Sequence, residues 1–215
     1  MRIDSGESSK ENTFAMNDNA GSAPEEGSPD PSPTFSQEVH HSQVSARVPE
    51  KIGRGVFSTG AMIMQGPYEF MLDFVLRVSP PHQIVARVIL PHPLMPNFIG
   101  ALRENLSGYQ AKFGPPPALP MPANPPAPQP IDEIYSQLKL PEELMSGVYA
   151  NAVMIAHTPA EFAFDFITNF YPRAAVACRV YLSAPQTPGL LQTLTRSWQQ
   201  LQHKQGGQQQ PPKEG

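Results

Sequence analysis

The sequence predicts an α+β fold built from two tandem β-β-β-α units, each with antiparallel strands and one C-terminal helix, forming an intramolecular pseudo-dimer with disordered tails. Two observations carry that prediction. Tyr149 to Leu182 reads as three strands separated by turn signals. Phe57 to Leu90 aligns with it without a gap at a shift of 92 positions. Over the longer window that includes the helices, fifteen of fifty-four aligned positions are identical. An ungapped match that also preserves turn residues indicates an internal duplication.

Composition sets the boundaries. Residues 1–52 are rich in Ser, Pro and acidic side chains and read as a disordered tail, because they cannot bury enough apolar surface to offset ordering entropy. They carry nine Asp and Glu against four Lys and Arg, whereas residues 53–205 carry nine against ten. The core is therefore close to neutral and has no basic stripe, so no nucleic-acid partner is expected. No apolar run approaches the length of a membrane span, and no membrane association is expected. The start has no basic region followed by an apolar run, so no signal peptide is expected. With Cys178 as the one cysteine, an internal disulfide is impossible, and a cytoplasmic location is the simplest reading. His40 and His41 are adjacent but lack further ligands at metal-site spacing. Gly53 and Gly55 flank Arg54 without opening a helix, which does not make a phosphate loop.

The first unit is expected over 53–113. Phe57 to Met64 reads as one strand, ending at a type I turn from Gly66 to Glu69 with Pro67 at its second position. Glu69 to Val78 alternates, with Phe70, Leu72, Phe74 and Leu76 on one face and Glu69, Met71, Asp73 and Val75 on the other. Ser79-Pro80-Pro81 turns the chain into a β-branched strand from Gln83 to Leu90. Phe98, Ile99, Leu102, Leu106 and Tyr109 then recur at helical spacing, with Pro96 at the first helical position. Residues 114–130 hold nine prolines in seventeen and read as an extended spacer. A short helix is expected after Ile131 and a single turn at Pro141 to Leu144.

The second unit, 131–204, repeats these features. Phe162, Phe164 and Phe166 repeat the apolar face, and Leu190, Leu191, Leu194, Trp198 and Leu201 repeat the helical stripe. Thr187 is an expected N-cap ahead of Pro188. Residues 205–215 read as a second disordered tail, rich in Gln and Pro. One helix only partly covers the apolar face of a three-stranded sheet. Two units packed together bury more, with sheets joined edge to edge or helices in contact, so the core is expected to be monomeric.

The polar set shared by the two copies is Glu69, Asp73 and Arg87, matched by Glu161, Asp165 and Arg179. Hairpins centred on Pro80 and Pro172 put Asp73 opposite Arg87 and Asp165 opposite Arg179. Such pairs stabilise a hairpin by roughly 0.2–1 kcal/mol. The alternative is that these charges line a groove for a partner's backbone or a polar ligand. Glu161 and Asp165 stand about 13 Å apart along one strand, too far for paired-carboxylate catalysis. His157, whose counterpart is Gln65, is read as a turn-capping residue and otherwise as the trace of catalysis kept in one copy. Cys178 shares a strand face with Val180 and Leu182 and reads as an inert core thiol. No catalytic residue, cofactor site or metal site is expected.

Leu140 to Phe166, LPEELMSGVYANAVMIAHTPAEFAFDF, resembles the opening of a bacterial family of unknown function, number 3467 in the domain-of-unknown-function series. That family has a Tyr-Ala-Asn strand, a turn ending in Glu-Phe, an Asp-Phe pair, an Arg-Val-x-Leu strand and a C-terminal helix. The first unit has Phe57-Ser58-Thr59 in place of Tyr-Ala-Asn, while Ala101 to Gly114 is similar to the family's helix end. The motif adds Tyr149 and Asn151 to the candidate interaction or structural residues. The resemblance implies the fold and no activity. A non-catalytic interaction module with an unknown protein partner (an adaptor, chaperone-like factor or complex subunit) is the functional expectation. A ligand binder or enzyme with a pocket between the units is the alternative.

Overall fold

The computed structural model describes residues 46–120, 129–170 and 172–208. His40 and His41, most of the acidic tail, the middle of the Pro-rich segment and the end of the Gln-rich tail lie outside them. Arg47 and the first three residues of the short helix α1, Glu50–Gly53, stand within the span expected as tail. Strands β1 (Val56–Ser58), β2 (Gly60–Gln65), β3 (Glu69–Leu76) and β4 (His82–Pro91) follow, then helix α2, Leu94–Phe113. Beyond the Pro-rich segment come α3 (Ile131–Ser136), β5 (Leu138–Lys139), a 3-10 turn at Glu142–Leu144 and β6 (Val148–Tyr149). The second copy closes with β7 (Ala152–His157), β8 (Glu161–Thr168), β9 (Ala175–Ser183), a 3-10 turn at Ala184–Gln186 and α4 (Thr187–Gln208).

Two antiparallel meanders, β2-β3-β4 and β7-β8-β9, form the α+β framework. Their outer neighbours are exchanged. β1 precedes the first meander but pairs in parallel with β9, placing Val56 opposite Val180. β6 precedes the second meander but pairs in parallel with β4, placing Val148 opposite Val88. Val56 and Val148 are equivalent in the duplication, as are Val180 and Val88. The exchange continues upstream, where Arg47 bridges to Ala175 and Lys139 pairs with Gln83. Each copy therefore completes the other's sheet.

The helices cross over as well. α2 packs on α4 and on β7, while α4 packs on β2. Phe98 of α2 meets Phe164 and Phe166 edge-on, at centroid distances of 6.1 and 5.8 Å. Phe74 meets Phe166 at 5.6 Å, joining the inner faces of the two sheets. Tyr109 packs on Phe162 and its hydroxyl donates to the Pro159 carbonyl at 2.9 Å. The two apolar stripes thus merge into a single core.

Several local expectations are corrected by identifiable contacts. The strand expected over Phe57 to Met64 is broken at Thr59, because the Ser58 hydroxyl donates to the Gly60 and Val75 carbonyls and β1 leaves for the other sheet. The Gly66 turn is a bend closed by the Gly66 N–H donating to the Glu69 carbonyl, not a hydrogen-bonded type I turn. Register shifts at Phe74/Val75 and Phe166/Ile167 turn Val75 and Ile167 inward and leave Leu76 only half-buried. α2 starts at Leu94, so Pro96 is its third residue; its missing N–H still falls among the four that lack helical partners. Thr187 does not cap α4. Its hydroxyl donates back to the Ser183 carbonyl at 3.2 Å, because the preceding 3-10 turn runs straight into the helix.

Phe166 is fully buried where both sheets and α2 converge. Phe166→Ala is expected to lower the unfolding free energy by about 3–5 kcal/mol in urea titrations. A loss under about 1 kcal/mol would place the core elsewhere.

Candidate functional site

The shared polar residues stand on the outer faces of the two sheets. Asp73 lies opposite Arg87 and Asp165 opposite Arg179. Each pair is bidentate. Arg87 Nε and Nη2 donate to the two Asp73 oxygens at 2.7 Å each. Arg179 does the same to Asp165 at 2.6 and 2.7 Å. These bonds raise the pKa of both guanidinium groups, the carboxylate hydrogen bond being the main cause.

The remaining guanidinium nitrogen of each arginine crosses to the other copy. Arg87 Nη1 donates to the Met145 carbonyl at 3.0 Å, and Arg179 Nη1 donates to the Gly53 carbonyl at 3.3 Å. Met145 and Gly53 are equivalent positions just before the exchanged strands. Gly55 and Gly147, also equivalent, have φ of 63° and 66°. A Cβ at Gly55 would lie 2.8 Å from Arg179 Cγ, and one at Gly147 2.8 Å from Arg87 Cγ. Glycine is required there both for the left-handed backbone and for the close approach. The backbone that these arginines hold thus belongs to the same molecule.

The two pairs differ in burial. Asp73 is fully buried, and the Tyr135 hydroxyl of α3 donates to its second oxygen, with Met64 Sδ 3.1 Å from that hydroxyl. Burial, with the Asp73 hydrogen bond adding to it, raises the Tyr135 pKa and keeps the phenol protonated. Asp165 and Arg179 side chains remain 16% and 23% exposed. Tyr135, Gly55 and Gly147 were not among the candidates read from the sequence. Continuing the alignment upstream of Phe57 would have found the glycines, since Pro49, Glu50, Gly55 and Val56 match Pro141, Glu142, Gly147 and Val148.

The other candidates are separate from these pairs; Glu69 and Tyr149 line one groove on the first sheet, while Asn151, His157 and Glu161 stand elsewhere. Glu69 Oε2 accepts the Tyr68 N–H, at 3.2 Å. Glu161 enters β8 through its N–H, which Thr158 Oγ1 accepts together with that of Ala160. Thr158, not His157, therefore caps that turn. His157 Nδ1 lies 3.3 Å from Asn105 Oδ1, and its ring is surrounded by Tyr109, Phe113 and Phe162. Asn151 makes a two-way bridge to the Asn169 backbone. Tyr149 is exposed and stacks on Phe170 at 5.9 Å with planes 4° apart. Burial, with the Asp165 charge adding to it, pushes the Cys178 thiol up to about 12, so it stays protonated at neutral pH. Among the described residues no group of three His, Cys, Asp or Glu side chains could hold a metal ion. No described helix is long and apolar enough to cross a membrane.

Two concavities accompany these residues. A groove of about 560 Å³ on the outer face of the first sheet is lined by Met64, Tyr68, Met71, Ile89 and Tyr149, with Glu69 at its edge. A cavity of about 200 Å³ lies between the copies, walled by the equivalent pairs Val56 and Val148, Ala86 and Cys178, and Arg87 and Arg179.

Truncating Asp73 strands a buried guanidinium, while Arg179 can turn toward water. Asp73→Ala is expected to cost about 3–5 kcal/mol and Asp165→Ala about half of that or less, read by urea unfolding. Equal losses would mean that burial and the Tyr135 contact contribute nothing.

No curated protein and no solved structure matches the chain. The family described as "Protein of unknown function (DUF3467)" matches residues 16–116 and again residues 121–207. The chain belongs to this family and carries two copies of its domain in tandem.

Proposed function

We propose that the protein is a non-catalytic protein-interaction module, serving as an adaptor, chaperone-like factor or complex subunit. The observation that carries this reading is a difference between the two copies. Met64, Tyr68 and Met71 line the groove on the first sheet. Their equivalents in the second copy are Ala156, Ala160 and Ala163. Two copies that share a core differ on the solvent side, and at these three positions the first carries bulky apolar side chains. Tyr68 is 82% exposed, and the stacked Tyr149 and Phe170 extend the apolar surface. Flexible methionines beside aromatic anchors suit a surface that buries an apolar segment of another protein.

The polar groups that an enzyme would need are otherwise engaged. Asp73 and Asp165 are held bidentate, and His157 is packed among aromatic rings. Affinity capture with the full chain as bait tests the reading. The native bait is expected to hold a stoichiometric protein that Tyr68→Ser with Met71→Ser loses and Ala163→Ser keeps. Capture that ignores the groove substitutions would contradict it.

A further inference from the structure

The cavity between the copies shares no lining residue with the outer-face groove. Its walls are apolar because Val56, Val148 and Val85 face it, and it stays open because Ala86, Ala177 and Cys178 are small where the edges of β4 and β9 meet. Position 177 is equivalent to Val85, so at that point of the wall the second copy has the smaller side chain. The polar component has one sign. Lys51, Arg87 and Arg179 line the cavity, and no carboxylate among the described residues does.

We propose that this axial cavity binds a small organic anion: a single ring or short branched chain bearing one carboxylate. An apolar cavity of about 150 Å³ accommodates benzene, so about 200 Å³ admits one ring with a short substituent. The apolar part lies against the valines and alanines. The carboxylate meets Lys51 at the rim, with the unshared N–H groups of the two arginines beside it. Asp73 and Asp165 neutralise the arginines, so Lys51 supplies the net attraction. Because each copy contributes half of the wall, an occupant also holds the exchanged strands together.

Benzoate and its neutral analogue benzyl alcohol, titrated into the full chain and followed by calorimetry, test the proposal. Benzoate is expected to bind saturably with a Kd of about 1 mM or tighter, and several-fold more tightly than benzyl alcohol. Ala177→Leu fills the space and abolishes binding of both probes. Lys51→Gln, on the exposed turn of α1 and without effect on the core, weakens benzoate alone. Cys178→Ala, which copies the equivalent Ala86, retains benzoate binding. Absence of saturable benzoate binding, or binding that survives Ala177→Leu in a folded protein, would overturn the site. Equal affinity for benzoate and benzyl alcohol would overturn its preference for an anion.

Discussion

The three-way grip of Arg87 and Arg179 sets the architecture. Each guanidinium is fixed by a bidentate bond to the aspartate across its own hairpin, which leaves one nitrogen pointing beyond the sheet edge. That nitrogen takes a backbone carbonyl of the other copy, just ahead of the glycine that lets the chain turn into the exchanged strand. A charge-assisted bond is stronger than a neutral one, and its geometry is specific. It fixes where β1 and β6 lie, and they in turn cover edges that would otherwise template pairing with other chains. With those strands placed, the helices that follow each meander lie across the opposite copy, and the aromatic core closes between them.

On this common frame the copies differ in side chains. The first has a buried aspartate sealed by Tyr135 and a groove of methionine and tyrosine outside. The second has a more open Asp165–Arg179 pair, alanines at the positions of Met64, Tyr68 and Met71, and a thiol at the axis. Most core positions stay apolar: Phe98 corresponds to Leu190, Leu106 to Trp198 and Tyr109 to Leu201. Two buried positions change character, Ser58 against Ala150 and Met95 against Thr187.

Much of the fold was legible because its signals are local and repeated. Alternation located β3 and β8, helical spacing located α2 and α4, and the shift of 92 residues tied the two halves together. Register across each hairpin followed from the turn prolines, so Asp73–Arg87 and Asp165–Arg179 could be paired in advance. The exchange was not legible. Three-residue and two-residue strands carry no period, and nothing in the text of Val56 or Val148 says which sheet it joins. Tyr135 was missed for a related reason: its equivalent position in the sequence is Gln43, so the duplication flags no shared residue there. Gly55 was weighed only as part of a phosphate loop, when its twin Gly147 was the informative comparison. His157 was placed at the turn, but the capping hydroxyl belongs to its neighbour Thr158, because the ring turns into the aromatic cluster instead.

The reciprocal exchange of β1 and β6 is the central claim, and nuclear Overhauser contacts in solution test it most directly. In parallel pairing the informative signals are those linking Val56 to Val180 and Val148 to Val88. The account predicts both sets in a monomeric chain. Contacts from Val56 to Val88 and from Val148 to Val180, with each strand completing its own sheet, would contradict it.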